Sequence, residues 1–219
     1  ARVTVSYMRP GGVIQDAPPE FWKALQELMD AMPEYIDDLE GLITTNEIVL
    51  ARTRDVGILS PELAIDASVT GPILRASGVQ WDLRRANAYE VYDRLDFEIP
   101  IGGTGDTFDR YLVRILEMRE SVKILRQCID QIPEGLVRST TSFFIRPPVG
   151  EGYSAVEAPK GELGFYIVSD GGISPYRCKI RAPSFINLTV LRDLLIGWKM
   201  GDLIIIFGST DVVMGEVDR

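Results

Sequence analysis

The chain has 219 residues, 32 acidic against 23 basic side chains, two cysteines and no histidine. The length supports one domain with a real core, and 46% apolar with 25% charged residues is an ordinary globular balance. The formal charge of −9 excludes a general nucleic-acid binder and polybasic docking on anionic lipid, and the lack of histidine excludes a Ser-His-Asp triad, a histidine-based metal site and an imidazole titrating near neutrality.

Cys128 and Cys178 form no CxxC pair, which excludes a self-contained zinc or iron–sulfur site. Both thiols are expected to be buried as small hydrophobes in a reducing compartment. No apolar run approaches the roughly 18 residues that a membrane span needs. The chain starts Ala1-Arg2-Val3, without an initiator Met or a signal-peptide pattern, and reads as a fragment or a processed product.

In chain order, residues 1–18 are expected to be extended and then to turn. In Arg9-Pro-Gly-Gly-Val13, proline fixes φ and the glycines permit positive φ. Pro18-Pro19 opens a helix whose apolar residues (Trp22, Leu25, Leu28, Met29, Met32, Ile36, Leu39) recur at helical spacing, and Pro33 is expected to kink or interrupt it. A short helix is expected over Asn46–Thr53, and another from Ser60-Pro61-Glu62, with serine as N-cap. Residues 71–100 read as loop-rich and dense in Arg, Asp, Trp and Tyr, a pattern typical of functional or partner-facing segments.

Within residues 101–105, Ile-Gly-Gly-Thr-Gly superficially suggests a phosphate loop. It lacks the following lysine and a strand–loop–helix unit, and it reads as a plain loop. Phe108–Ile132 is the clearest helix. Its stripe is Phe108, Tyr111, Ile115, Met118, Val122, Leu125, Ile129 and Ile132, with Arg110, Arg114 and Glu117 on other faces, and Pro133-Glu-Gly135 stops it. A linker over 136–150 gives way to period-two segments, 153–157 and 163–168, around a hairpin turn at Ala158–Glu162, and then to Tyr176–Arg181. Ala182-Pro-Ser184 is expected to cap a last amphipathic helix through Leu195, and Leu203–Phe207 to be a buried strand or short helix.

The fold class expected is α+β. A helical bundle on 19–43 and 108–132 carries a small antiparallel sheet near the C-terminus. The chain is one structural unit with a helical region 1–150 and a region 151–219 holding sheet, helix and C-terminal loop. The ending, Gly208-Ser-Thr-Asp-Val-Val-Met-Gly-Glu-Val-Asp-Arg219, follows an apolar run with three acids and a terminal arginine, and reads as inserted into structure. No nucleotide-binding glycine motif or nucleophile–base pair supports a stand-alone soluble enzyme.

Six ordered blocks carry a resemblance: Arg9–Val13, Gly78-Val-Gln-Trp-Asp-Leu-Arg84, Arg110-Tyr-Leu-Val-Arg114 with Glu117-Met-Arg119, Glu157-Ala-Pro-Lys-Gly-Glu162, Tyr176-Arg-Cys-Lys-Ile-Arg-Ala-Pro183 and the ending. Together they resemble the quinone-site subunit of respiratory complex I (NADH:quinone oxidoreductase), of the nickel–iron hydrogenase large-subunit superfamily. The family is about twice as long. Its N-terminal half, which holds further residues that contact the quinone headgroup, has no counterpart here, and the link before the sheet is short. The chain therefore reads as a fragment or a truncated relative.

The resemblance implies a hydrogenase-large-subunit-like fold in which the old metal cavity has become the end of a quinone tunnel. The place of two nickel-binding cysteines reads Asp211-Val-Val-Met214, without a thiolate. It implies proton chemistry at Asp211, Glu216 and Lys160, cavity lining by Val213, Met214 and Arg219, and Arg9 and Thr4 near the terminal iron–sulfur cluster of a partner subunit. Thr4 replaces a histidine common among relatives, so that cluster is expected to lack histidine-linked pH dependence and to suit menaquinone. No metal or cofactor is expected on this chain itself; quinone is the substrate.

The implied partners are the cluster-bearing small subunit, other peripheral-arm subunits and a membrane subunit at the arm junction, with no nucleic acid. The place is the cytoplasmic side of the cell membrane, held through partners, with electron transfer coupled to proton translocation. Two alternatives stay open: a truncated scaffold without redox role, and the equivalent subunit of a ferredoxin-driven or hydrogenase-like membrane complex.

Overall fold

Two 25-residue helices, α1 (Pro19–Ile43) and α6 (Thr107–Gln131), frame a computed structural model that describes residues 7–142 and 144–218. α1 begins on Pro19, where the missing N–H would have had no helical partner. The helix runs unbroken through Pro33, against expectation. Met29 and Ile36 on either side of it pack with Ile115 and Val122 of α6 into one core. Burying four such side chains, at about 1.5–3 kcal/mol each, outweighs the roughly 3 kcal/mol cost of an interior proline.

α6 is capped by Asp106, whose Oδ1 accepts from the Asp109 amide at 2.8 Å. Its burial departs from a single stripe. Phe108, Ile115 and Val122 are buried as expected, but Leu125 and Ile132 are exposed, and Val113, Ile124 and Arg110 are buried instead. The reason is enclosure: α6 packs against α1, α4 (Pro72–Ala76) and α9 (Met200–Ser209), so no one face defines its core side. Arg110, expected on an outer face, is 0% exposed.

Between the long helices come α2 (Glu47–Thr53), α3 (Pro61–Asp66), α4 and α5 (Leu83–Ala86), the last two short turns in the otherwise irregular 71–100 segment. Asn46 caps α2 by accepting from the Ile48 and Val49 amides, and Ser60 caps α3 by accepting from Leu63. A second core joins Leu59, Val69, Ile73 and Leu74 to Val190, Leu194 and Ile206. It crosses residue 150, so both regions share one interior. Ahead of α6, the amides of Gly103, Thr104 and Gly105 donate to Asp109 Oδ2 at 2.9, 2.6 and 3.1 Å. The glycine-rich loop is thus closed on the chain's own carboxylate.

β1 (Met8–Arg9) and β2 (Gly12–Val13) form a small hairpin about Pro10-Gly11, bridged to Arg138. The main sheet is antiparallel, β3 (Gly150–Ala158), β4 (Gly161–Ser169) and β5 (Arg177–Arg181) in that order, and Ala158 pairs with Gly161 across a Pro159-Lys160 turn. Cys178 on β5 is exposed and Cys128 half-buried, so the expectation of two buried thiols fails: Cys178 sits on a sheet that the described residues leave uncovered.

The expected helix through Leu195 is broken into α7 (Pro183–Asn187), a 3₁₀ turn (Leu188–Val190) and α8 (Leu191–Leu195). Two more helices follow, α9 and α10 (Met214–Asp218). The Leu203–Phe207 run is the body of α9. It is not a buried segment: Ile206 is at 0% exposure, but Ile204 is at 75%. The architecture is mixed α+β, as read from the sequence.

Candidate functional site

A groove of about 870 Å³ lies among α2, α6, α9 and the end of α1. Ile43, Ile48, Val49, Tyr111, Ile204 and Ile205 give it apolar walls, and it reaches Arg114 and Asp211. Asp211 follows α9 with φ +53°, the left-handed region that costs a non-glycine residue roughly 1 kcal/mol. Two cations from separate elements meet its Oδ2. Lys160 Nζ donates to it from the β3–β4 turn, and Arg114 Nε stands 3.3 Å away. The Arg114 contact is an ion pair without hydrogen-bond geometry, so the buried Nε has no hydrogen-bond partner. Burial also pulls the Arg114 pKa down, against the pull of Asp211. Two positive groups thus meet one carboxylate oxygen where the groove ends, with Glu117 also attracting Arg114.

Each of the two cations is held from behind. Asn187, 1% exposed, accepts from the Thr70 amide at 3.1 Å and donates to the carbonyls of Thr70 and Lys160 at 3.2 and 3.1 Å. Gly71, at φ +78°, lets α4 start against this turn; a Cβ there would lie 2.5 Å from the Lys160 carbonyl oxygen. Arg114 lies one turn after Arg110 and donates to its carbonyl. Arg110 donates to Ser209 Oγ, Gly105 O and Gly57 O, each at 2.8 Å, and to Thr107 Oγ1 at 3.0 Å. Burial and the neighbouring Arg114 lower Arg110 to about 10, which leaves it cationic at neutral pH. Its bond to Ser209 fixes the end of α9, two residues before Asp211.

A second charged cluster surrounds Arg75, 2% exposed. Arg75 donates to Glu117 at 2.6 Å, Glu157 at 2.8 Å and the Trp81 carbonyl at 3.1 Å, and lies 3.4 Å from Asp82. Burial pushes the Glu157 carboxyl above the ordinary glutamate value despite Arg75. For Asp82 burial pulls the same way, but the hydrogen bonds from Arg84 and the charge of Arg75 outweigh it and hold the carboxyl low.

The expected site residues do not all converge. Lys160 and Asp211 touch. Glu216 lies against α7, its Oε2 accepting from the Ser184 amide at 3.0 Å, and the Val213 amide donates to Ser184 Oγ at 3.3 Å. These contacts dock the tail on α7. Val213 and Met214 are exposed and do not line the groove. Arg9 lines a separate pocket with Arg138. Thr4 and Arg219 lie outside the described residues.

The sequence reading missed Asn187 and Arg110 as supports of the site, and it did not foresee the buried Arg75 cluster. The signal that could have found them is a charged or amide residue inside an otherwise apolar helical context. Among the described residues no group of three or more His, Cys, Asp or Glu side chains is placed to hold a metal ion, and no helix is long and apolar enough to cross a membrane.

Comparison with known proteins adds a family. The family described as respiratory-chain NADH dehydrogenase, 49 Kd subunit, matches residues 1–219. A subunit of the NADH-quinone oxidoreductase of Dehalococcoides mccartyi strain 195 is 56% identical over the whole of this chain, which covers 59% of that relative. NADH-quinone oxidoreductase subunits of Roseiflexus sp. strain RS-1 and of Desulforamulus reducens are each 52% identical, again over the whole chain, which covers 61% and 60% of them. The chain thus spans about three-fifths of the length of these relatives. It belongs to the family of the 49 Kd subunit of respiratory-chain NADH dehydrogenase.

Proposed function

We propose that this chain contributes one wall of the cavity in which a NADH:quinone oxidoreductase reduces quinone. The observation that carries the reading is the apolar groove that reaches Arg114 and Asp211, the latter paired with Lys160. An isoprenoid quinone is apolar along its length and needs polar groups only at its head. Reduction to quinol takes two electrons and two protons. The electrons would come from an iron–sulfur cluster in a small partner subunit. In this chain Lys160 and Asp211 would hold and pass a proton, and the cations Lys160 and Arg114 would stabilise a ring oxygen as it gains negative charge. Glu216, docked on α7, would support the loop.

The reading includes other peripheral-arm subunits, a membrane subunit at the arm junction, a position on the cytoplasmic side of the membrane and coupling to proton translocation. It also includes descent from a hydrogenase large subunit, with Asp211–Met214 at the former metal-binding place. The test is Asp211→Asn in the full-length complex. NADH:ferricyanide reduction should be unchanged, while inhibitor-sensitive quinone reduction falls by about 10²-fold or more, as for loss of a positioned proton donor. Quinone reduction at the unmodified rate would overturn the assignment.

A further inference from the structure

Arg75 makes no hydrogen bond or ion pair with Asp211 and does not line the groove, yet two of its three carboxylate partners lie close in the chain to the two cations that do meet Asp211. Glu117, which accepts from Arg75 Nε at 2.6 Å, follows Arg114 on α6 by three residues, less than one helical turn. Glu157, which accepts from Nη1 at 2.8 Å, precedes Lys160 by three residues, at the end of β3. A planar guanidinium with donors on two edges can clamp two carboxylates in a fixed geometry, where an ammonium cannot. Arg75 is also set firmly in place: its own helix starts against the Lys160 turn, and the Trp81 carbonyl takes another of its donors.

We propose that Arg75 is a positioning residue for the Asp211 site, acting through Glu117 on Arg114 and through Glu157 on Lys160. The pair of carboxylates sets the spacing between helix α6 and hairpin β3–β4, and that spacing is what brings two cations onto one oxygen of Asp211. A structural ion cluster alone would stabilise the fold without any dependence on Asp211. The inference rests on the quinone-cavity reading above, and its test separates the two.

The experiment uses the full-length complex carrying Glu117→Gln or Glu157→Gln, each alone and combined with Asp211→Asn. Equilibrium binding of a short-tailed ubiquinone and a short-tailed menaquinone is measured for every variant. Each glutamine variant should weaken binding about three- to tenfold, and by less than about twofold once Asp211 is Asn, the non-additivity expected of residues in one network. Equal weakening in both backgrounds, or none in either, overturns the proposal. Arg75→Lys, which keeps the buried charge but not the two-edged clamp, covers the case where the glutamine variants fail to assemble. It should show the same Asp211-dependent loss, and wild-type affinity would count against the inference.

A cryo-EM map of Glu117→Gln gives a readout independent of quinone. Arg114 should be withdrawn from Asp211 there, and an unmoved Arg114 overturns the positioning role. An unmodified complex that binds neither quinone refutes the cavity reading while the map still decides on Arg75.

Discussion

Asn187→Leu tests whether one buried amide holds the Lys160 turn in place. The two side chains have the same number and branching of heavy atoms, so no cavity forms. What changes is hydrogen bonding. The Thr70 N–H, the Thr70 carbonyl and the Lys160 carbonyl each lose the partner seen at 3.1–3.2 Å, and none has another backbone partner. An unpaired buried polar group costs about 1–3 kcal/mol, so three cost about 6 kcal/mol. Removing the desolvated amide of Asn187 itself returns about 2 kcal/mol, which leaves a net loss of about 4 kcal/mol. With a urea m-value of about 2.5 kcal/mol per M, the unfolding midpoint should fall by roughly 1.5 M, read by tryptophan fluorescence. Asn187→Asp should not rescue it, because a carboxylate would face two carbonyl oxygens. A midpoint within about 0.4 M of the original for Asn187→Leu would refute the reasoning, since the turn would then be held by something else.

Three further outcomes follow from the same geometry. Gly71→Ala should block folding or lower stability by more than about 2 kcal/mol in urea unfolding, because it adds left-handed backbone strain to a 2.5 Å approach to the Lys160 carbonyl. Arg110→Met should cost only about 2–3 kcal/mol rather than the sum of four charged hydrogen bonds. The Gly105 carbonyl keeps the Leu59 amide, and the Thr107 and Ser209 hydroxyls keep Val56 and Ile206, so the Gly57 carbonyl alone is stranded; a loss above about 6 kcal/mol would contradict this accounting. Glu157, raised by burial, contributes stability that is complete below the ordinary glutamate pKa and is lost as pH rises through its folded value. The stability of the native chain relative to Glu157→Gln should therefore fall as pH rises above the ordinary glutamate value of about 4.3, and a relative gain there would show the opposite shift. Asp82, held low, runs the other way and is present in both proteins.

Local signals were readable in the sequence because they depend on neighbours in the chain. Asn46 and Ser60 announce helix starts through their own side-chain oxygens, and the Ala158–Glu162 turn follows from proline and glycine between alternating segments. Lys160 and Asp211 came from motif resemblance, and the structure brings them into contact. What could not be read is burial that breaks the apolar rule. Arg110 sits between apolar positions of α6, where a charged residue ordinarily faces water, and only packing on several sides encloses it. The run Leu203–Phe207 misled for the opposite reason. It is apolar at every position, so it carries no period to say which side is covered, and Ile204 and Ile205 from it line the groove.

The three amides that close on Asp109 form a ring of donors satisfied from within the chain. A backbone cradle of that kind, ahead of a helix, is a general receptor for phosphate-like anions. Here the guest is covalently tethered four residues downstream of Gly105, so its effective concentration far exceeds that of any metabolite in solution. The donors of the loop are thus occupied by the chain's own carboxylate. Shortening the side chain, as in Asp109→Ala, would remove that carboxylate and leave the cradle free to take up inorganic anions.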